Sequence, residues 1–211
     1  MSDLARELSA HLAPVSRWQV PGRLLLGLGG GLAVSVLLVL AVLGPRPDIG
    51  PAMHGMMFWM KLVYPLSLVA IAGLASERLA RPAASAKARM IWLPLPFALI
   101  ATLAATALFL APPATRETLL MGSYAGVCPF LVLAFAVPPL AGLAWAMRGL
   151  APTRPRETGA IIGLVAGGAG AFAYAWHCTE TGAPFLAVWY TLGIAAAAFL
   201  GWLLGPRLLR W

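Results

Sequence analysis

Six long apolar runs, separated by short polar stretches, organise the chain. Each has the roughly 17 to 25 mostly apolar residues that a helix needs to cross about 30 Å of hydrocarbon. The runs lie at 24–43, 57–76, 91–111, 127–145, 159–176 and 185–204. Because a strand open to lipid would leave its backbone groups unpaired, such runs must be helical. The pattern predicts an all-α polytopic membrane protein, a bundle of six transmembrane helices.

The composition fits this prediction, since 61% of the residues are hydrophobic and only 10% are charged. Soluble domains are nearer to about a quarter charged. Little sequence remains outside the runs, so we predict three parts: a head at 1–23, a transmembrane domain at 24–204 and a tail at 205–211. There is no room for a second soluble domain in this arrangement.

The basic residues are distributed unevenly about the predicted spans. Of the fifteen Lys and Arg, only Arg46, Lys61 and Arg116 fall on one side, and the other twelve fall on the opposite side. The positive-inside rule therefore places both termini in the cytoplasm. This bias and contacts with anionic lipid headgroups of the bilayer account for the net charge of +8. We expect no direct nucleic-acid partner, because no basic face is interleaved with aromatic residues.

The head carries a helical pattern of apolar residues. Leu4, Leu8, Leu12 and Val15 are spaced by four, four and three residues, which places them along one face of a helix. The pattern predicts a short cytoplasmic amphipathic helix, although a helix of this length is marginal alone in water. It would lie on the membrane surface or fold into a groove on a cytoplasmic partner. Disorder is the third alternative.

The spans themselves offer little catalytic chemistry. The sequence has no HExxH, no GxSxG, no phosphate-binding loop and no carboxylate pair placed for hydrolysis. We therefore predict that the protein is not an enzyme. The spans also hold almost no ionisable residues, which disfavours a proton-coupled carrier. Lys61 lies close enough to a span end for its ammonium to reach the surface, with Asp48 as a candidate partner.

The two cysteines are the most informative residues. Cys128 begins the fourth run with Pro129 in the first helical turn, and Cys178 comes just after the fifth run. Both thiols are thus expected at similar depth on the extracytoplasmic side, where disulfides persist. A helix N-terminus also favours a thiolate, which raises the reactivity expected of Cys128. The start of the fourth span is uncertain, since 117–126 fits a loop, an interfacial helix or membrane.

Metal-binding residue types surround the second cysteine. His177, Cys178 and Glu180 offer nitrogen, sulfur and oxygen donors, and Cys128 would complete a site for a soft metal. The alternative is two unrelated buried thiols that act as small hydrophobic residues. Shared depth favours a pair acting together through a disulfide or a metal. We expect no required cofactor, and a heavy-metal ion is a candidate for transient binding at the cysteine pair.

Three other functions fit parts of this pattern. A small membrane metal or solute transporter, or a metal-binding protein, would use Cys128, Cys178 and the methionines of 53–57 as an entry site. A thiol oxidoreductase would need a CxxC, a quinone site or further cysteines, which the sequence lacks. A structural membrane protein without a switch would tolerate replacement of both cysteines.

Short motifs along nearly the whole chain resemble those of one family. They are LAPV at 12–15, RPDI at 46–49, FWMK at 58–61, RLARP at 78–82, VCPF at 127–130, RGLAPTRP at 148–155, YAWHCTE at 174–180, FLAVWY at 185–190 and GPRLLRW at 205–211. In order and spacing the chain resembles the NrsF-type integral membrane anti-sigma factors. These are six-helix proteins of Gram-negative bacteria that inhibit an extracytoplasmic-function (ECF) sigma factor.

The resemblance implies a partner and a signal that the residues alone do not supply. The head, with Leu4, Leu8, Leu12 and Val15, is expected to hold the sigma factor. Cys128 and Cys178 are expected to sense heavy-metal or oxidative stress and to cause its release. The resemblance also implies the bacterial inner membrane as the location.

Overall fold

Six long helices form the bundle in the computed structural model, which describes residues 16, 18–81, 86–150 and 152–210. We number them α1 to α6, and they comprise Gln19–Leu43, Met56–Leu79, Ala88–Leu110, Cys128–Arg148, Pro155–Ala175 and Ala183–Leu208. Each is long and apolar enough to cross a membrane. No strand occurs in the described ranges, so the all-α fold is confirmed. Most of the predicted head, residues 1–15, lies outside them, together with Leu4, Leu8, Leu12 and Val15.

The helices extend beyond the apolar runs at several ends. Helix α1 begins at Gln19, inside the segment assigned to the head, and α6 ends at Leu208, inside the segment assigned to the tail. Polar residues such as Gln19 and Arg207 continue a helix into the interfacial region, where hydropathy gives no signal. Between α3 and α4 a short helix, Pro113–Met121, is followed by a turn at Gly122, whose φ is +52°. Residues 117–126 are therefore the end of this helix and a turn.

Helix α5 lies at the centre and is buried along nearly its whole length. Its small residues allow neighbouring backbones to approach closely. A Cβ on Gly159 would overlap the carbonyl oxygen of Gly201 on α6, and one on Gly163 would overlap that of Ala197. Such close backbone approach is the usual basis of tight helix packing in lipid.

Helix α1 is joined to α4 beside a proline pair. Pro139 has no N–H, so the carbonyl oxygen of Phe135 lacks its intrahelical donor. The Ser35 hydroxyl of α1 donates to this oxygen at 2.7 Å. Next to this bond, a Cβ on Gly31 would lie only 2.5 Å from the Cα of Pro139. The helix that follows the head is therefore fixed to the helix that begins with Cys128.

The buried residues form two clusters at opposite ends of the bundle. All six helices contribute to the first, which we call the thiol cluster because it contains Cys128 and Cys178. The second, the basic-end cluster, includes Leu24, Leu79, Met147 and Leu209. The helix ends place Arg46, Lys61 and Arg116 at the thiol end and the other described basic residues at the basic end. This arrangement fits a multi-pass membrane protein, and its orientation stays a prediction.

Candidate sensing site

The structure brings the two cysteines into one buried cluster. Cys128 is the first residue of α4, and Cys178 lies in the connection between α5 and α6, residues 176–182, which we call the Cys178 segment. Both side chains are free thiols and both are fully buried. The Cys178 N–H donates to the carbonyl oxygen of Tyr174 at 3.1 Å, one turn earlier in the chain. The two thiols thus lie in the same buried cluster at one end of the bundle, and no bond joins them.

Two tyrosines flank the thiols. The rings of Tyr174 on α5 and Tyr190 on α6 have centroids 6.0 Å apart, and both side chains are fully buried. Both tyrosines belong to the same buried cluster as the two cysteines. Neither hydroxyl has a hydrogen-bond partner among the described residues. Buried polar groups normally have a partner, and the thiol cluster is the environment into which these two hydroxyls are buried.

Lys61 of α2 is part of this site. Its position near a span end predicted that the ammonium would reach the surface, and this prediction is wrong. Its side chain is fully buried. The ammonium donates to the carbonyl oxygens of Cys178 and Glu180, both at 2.7 Å, and lies 5.3 Å from the centre of the Tyr190 ring. The irregular Cys178 segment makes this possible, because its carbonyls do not point along a helix axis toward backbone donors. Lys61 thereby joins α2 to the segment that carries Cys178.

Arg46, in the connection between α1 and α2, is a second buried cation at the site. Its exposed fraction is 2%, and it donates to the carbonyl oxygens of Cys178 and Thr179, each at 3.4 Å. Its Nε and Nη2 donate to the two carboxylate oxygens of Asp48 at 2.8 and 2.7 Å. These hydrogen bonds lower the pKa of the Asp48 carboxyl group below its ordinary value. The partner of Asp48 is thus Arg46 and not Lys61.

The other two predicted donors, His177 and Glu180, are engaged elsewhere. His177 Nδ1 is 3.0 Å from the carbonyl oxygen of Gly44, and the Glu180 carboxylate accepts the Ser123 N–H at 2.7 Å. In the described part of the chain, no three His, Cys, Asp or Glu side chains are grouped so that they could hold a metal ion. The four-residue donor set is therefore not assembled here. Metal binding at Cys128 and Cys178 stays a prediction.

The contacts of the Cys178 segment tie together three connections at this end. The Arg46 N–H donates to the Trp176 carbonyl at 3.0 Å, which adds to the His177 contact with Gly44. On the other side, Glu180 binds the turn after Pro113–Met121. Gly44 ends α1 with a φ of +77°, a conformation that favours glycine. A displacement of Cys178 would therefore act directly on the end of α1.

Two π-helical turns border the site. They are Val39–Leu43 at the end of α1 and Leu186–Tyr190 near the start of α6. Each supplies residues to the thiol cluster, among them Val39 and Tyr190. Such turns are rare and are often found at functional sites. No residue pattern in the sequence indicated them.

Sequence reasoning also missed four residues of the site: Arg46, Lys61, Tyr174 and Tyr190. A signal existed for the two cations, since the sequence assigns only three basic residues to their side of the predicted spans. For Tyr174 the signal was its position four residues before Cys178 at the end of a helix. Nothing local indicated Tyr190, because its place beside the thiols depends on how α6 packs.

Comparison with known proteins identifies similar chains. The family model NrsF, described as "Negative regulator of sigma F", matches residues 8–211. The "Probable anti-sigma-F factor NrsF" of Azospira oryzae is 39% identical over 213 residues, covering 99% of this chain and 98% of that protein. The "Anti-sigma-F factor NrsF" of Caulobacter vibrioides is 38% identical over 211 residues, with the same coverage. No solved structure matches.

Proposed function

Because the chain belongs to the NrsF family of anti-sigma factors, we propose that it sequesters a sigma factor of the ECF class through its N-terminal segment. We further propose that it releases this partner when Cys128 and Cys178 sense heavy-metal or oxidative stress. The family's members are regulatory proteins and not enzymes, which confirms the prediction that the chain is not an enzyme. The relatives are named as anti-sigma-F factors, so sigma F is the proposed partner of this chain.

One observation carries the sensing proposal: two free thiols are fully buried in a cluster to which every long helix contributes. In the oxidative case both S–H bonds are lost and one S–S bond forms. The two protons and two electrons pass to hydrogen peroxide, whose O–O bond breaks and which is thereby reduced to two waters. In the metal case each thiol loses its proton and binds a thiophilic ion through sulfur.

Either event would change how the helices meet. A disulfide requires an S–S distance of about 2.05 Å and a restricted dihedral angle. It would fix the start of α4 relative to the Cys178 segment. That segment contacts Gly44 and Arg46 at the end of α1, and the opposite end of α1 continues into the predicted head. Helix α1 thus offers a continuous physical connection between the thiols and the sigma-binding segment.

The energy required is within the range of this chemistry. A shift from 1:99 to 99:1 between two states takes about 5.5 kcal/mol of differential binding. A disulfide contributes about 2–4 kcal/mol, and a structural zinc site reaches about 10–16 kcal/mol in peptides. The free energy of a disulfide alone would shift the equilibrium only in part. A metal bound by both thiolates has the larger free energy available for the shift.

The proposed location is the bacterial inner membrane, with both termini in the cytoplasm. The support is the concentration of basic residues at the basic end, which the positive-inside rule assigns to the cytoplasm. Helix α1 begins at that end with Gln19. The head would therefore lie on the side where a sigma factor is found, and the thiols on the oxidising side.

The charge distribution disfavours the alternative of a metal or solute transporter. Among the described residues, the buried charged side chains are Arg46 and Lys61, both at the thiol end. Ion pathways through membranes are normally marked by ionisable residues within the spans. The described part of the bundle has no such series from one end to the other.

A pull-down from the native host tests the partner. The full-length chain is purified in mild detergent under reducing conditions and compared with a Leu4→Arg, Leu8→Arg double variant. Ala10→Arg, on the opposite face of the predicted helix, is the matched control. We expect a sigma factor with the natural chain and with the control but not with the double variant. Absence of any sigma factor, or equal recovery with the double variant, would contradict the proposal.

A further inference from the structure

We propose that Lys61 is the positioning residue for Cys178, a role that rests on the proposed sensing by the two thiols. Its ammonium holds residues 178–180 against α2 through the carbonyl oxygens of Cys178 and Glu180, both at 2.7 Å. These bonds keep Cys178 in the cluster that also contains Cys128. The proposed role is mechanical: Lys61 sets where the thiol lies and how far it is buried.

The first reason is that, among the described residues, both hydrogen bonds of the Lys61 ammonium go to the segment that it holds. A buried charge is costly unless it is paired or fully hydrogen-bonded. Within the described ranges no carboxylate lies within ion-pair distance of Lys61. Two of its donors go to the Cys178 segment, and the Tyr190 ring faces the ammonium from a third direction. The cation thus depends on the segment as much as the segment depends on the cation.

The second reason is the contrast between the two sides of this contact. Lys61 lies within α2, between the buried residues Phe58 and Leu62, so the backbone that carries its side chain is held rigidly. The Cys178 segment has no regular structure at 178–182. Arg46 also donates to the Cys178 carbonyl, but at 3.4 Å. The hydrogen bond from Lys61 to the Cys178 carbonyl oxygen is therefore the shorter of the two, and it starts from the more rigid element.

The test measures the reaction of each thiol with iodoacetamide in purified, full-length protein. Cys178 is followed in a Cys128→Ser background and Cys128 in a Cys178→Ser background. Lys61→Met removes both donors but keeps an unbranched side chain. We expect alkylation of Cys178 to become about tenfold to a hundredfold faster, the change that loss of a charge-assisted hydrogen bond produces in an opening equilibrium. Cys128, fixed in the first turn of α4, should change far less.

Two variants separate positioning from general damage. Lys61→Arg retains a cation with several donors and should restore slow alkylation of Cys178. Lys87→Met makes the same substitution at the other lysine of the sequence and should leave both rates unchanged. If Lys61→Met does not fold, Lys61→Gln, which keeps one donor group, replaces it. Alkylation of Cys178 should again become faster than that of Cys128, by a smaller factor.

Two results would overturn the inference. One is an unchanged Cys178 rate in Lys61→Met or, where that variant does not fold, in Lys61→Gln. The other is an equal acceleration at Cys128 and Cys178, which indicates loosening of the whole bundle. No sigma factor is present in this assay, so its failure leaves the anti-sigma function standing. Conversely, failure of the pull-down leaves the positioning of Cys178 by Lys61 intact.

Discussion

The thiol end and the basic end of the bundle are held together by different interactions. At the thiol end, buried cations donate to backbone carbonyls and join irregular connections to helices. At the basic end, glycine backbones of α5 and α6 are in direct contact, as at Gly159 and Gly201. Hydrogen bonds depend on direction and fail when a partner shifts. Contact between backbones is lost only when whole helices separate.

This difference suits the proposed mechanism, in which the thiol end senses the stress and the basic end responds. A chemical change at Cys178 can alter a few directional bonds without separating helices. Under that proposal, the close packing farther along the bundle would carry the change as a rigid-body shift, since packed cores do not deform continuously. The substitutions below test whether the two ends differ in this way, from the largest expected effect to the smallest.

Gly27→Ala should give the largest loss of stability, because it disturbs contact between backbones. A Cβ on Gly27 would overlap the carbonyl oxygen of Gly142 on α4. Forcing extra volume into such a contact costs about 1–3 kcal/mol. Gly30→Ala is the matched control in the same helix, since a Cβ there meets nothing within 4 Å. The free energy of unfolding of both variants is measured by titration with mixed detergents. Equal stability of the two variants would show that backbone contact at Gly27 does not hold the helices together.

Ser35→Ala should have an intermediate effect, because it removes the hydrogen bond that links α1 to Phe135 of α4. The carbonyl of Phe135 would lose its donor beside Pro139. We expect a loss of about 1 kcal/mol, the usual size for an interhelical hydrogen bond. Ser67→Ala is the control, since the Ser67 hydroxyl donates only within its own helix, to Tyr64. A smaller loss at Ser35 than at Ser67 in the same titration would count against the link.

Of the three substitutions Gly27→Ala, Ser35→Ala and Asp48→Asn, the last should have the smallest effect, and that effect should depend on pH. Hydrogen bonds from Arg46 lower the pKa of Asp48 in the folded state. The ionised carboxylate therefore stabilises the fold above its ordinary pKa of about 4. This contribution is lost as the pH falls through the lowered value. We expect a lower unfolding temperature than the natural chain at about pH 7, and no difference in strong acid.

The basic end supplies the control for this prediction. Glu77 and Arg81 form an exposed i,i+4 pair at 3.0 Å, and exposed pairs contribute little to stability. Glu77→Gln should leave the unfolding temperature nearly unchanged at every pH. If Glu77→Gln had the larger effect, buried Arg46 would not depend on Asp48 in the way that the structure indicates.

The sequence predicted those features that depend on composition along the chain. Runs of apolar residues predicted the six helices, because a span must bury its backbone polar groups and expose apolar side chains. Cys128 and Cys178 were placed at one end because both adjoin the ends of runs on the same side. Helix ends were predicted less well, since residues such as Gln19 continue a helix beyond the hydrocarbon.

The details of the site could not be predicted, because they depend on packing between distant segments. Lys61 was expected to reach the surface, as lysines near span ends often do. It is buried because the Cys178 segment folds over it and supplies carbonyl oxygens. His177 and Glu180 are close to Cys178 in sequence, yet their side chains bind Gly44 and Ser123. Their proximity in sequence suggested a common metal site. Because the backbone at these residues is irregular, it directs the two side chains to different neighbours.

The measurement that tests the central claim most directly is release of the sigma factor from a purified complex. The natural chain, Cys128→Ser and Cys178→Ser are each loaded with the sigma factor and exposed to peroxide or to a thiophilic ion such as Hg²⁺. We predict that all three hold the sigma factor at rest and that only the natural chain releases it. Equal release from either serine variant, or retention by the natural chain after both thiols have reacted, would contradict sensing by the cysteine pair.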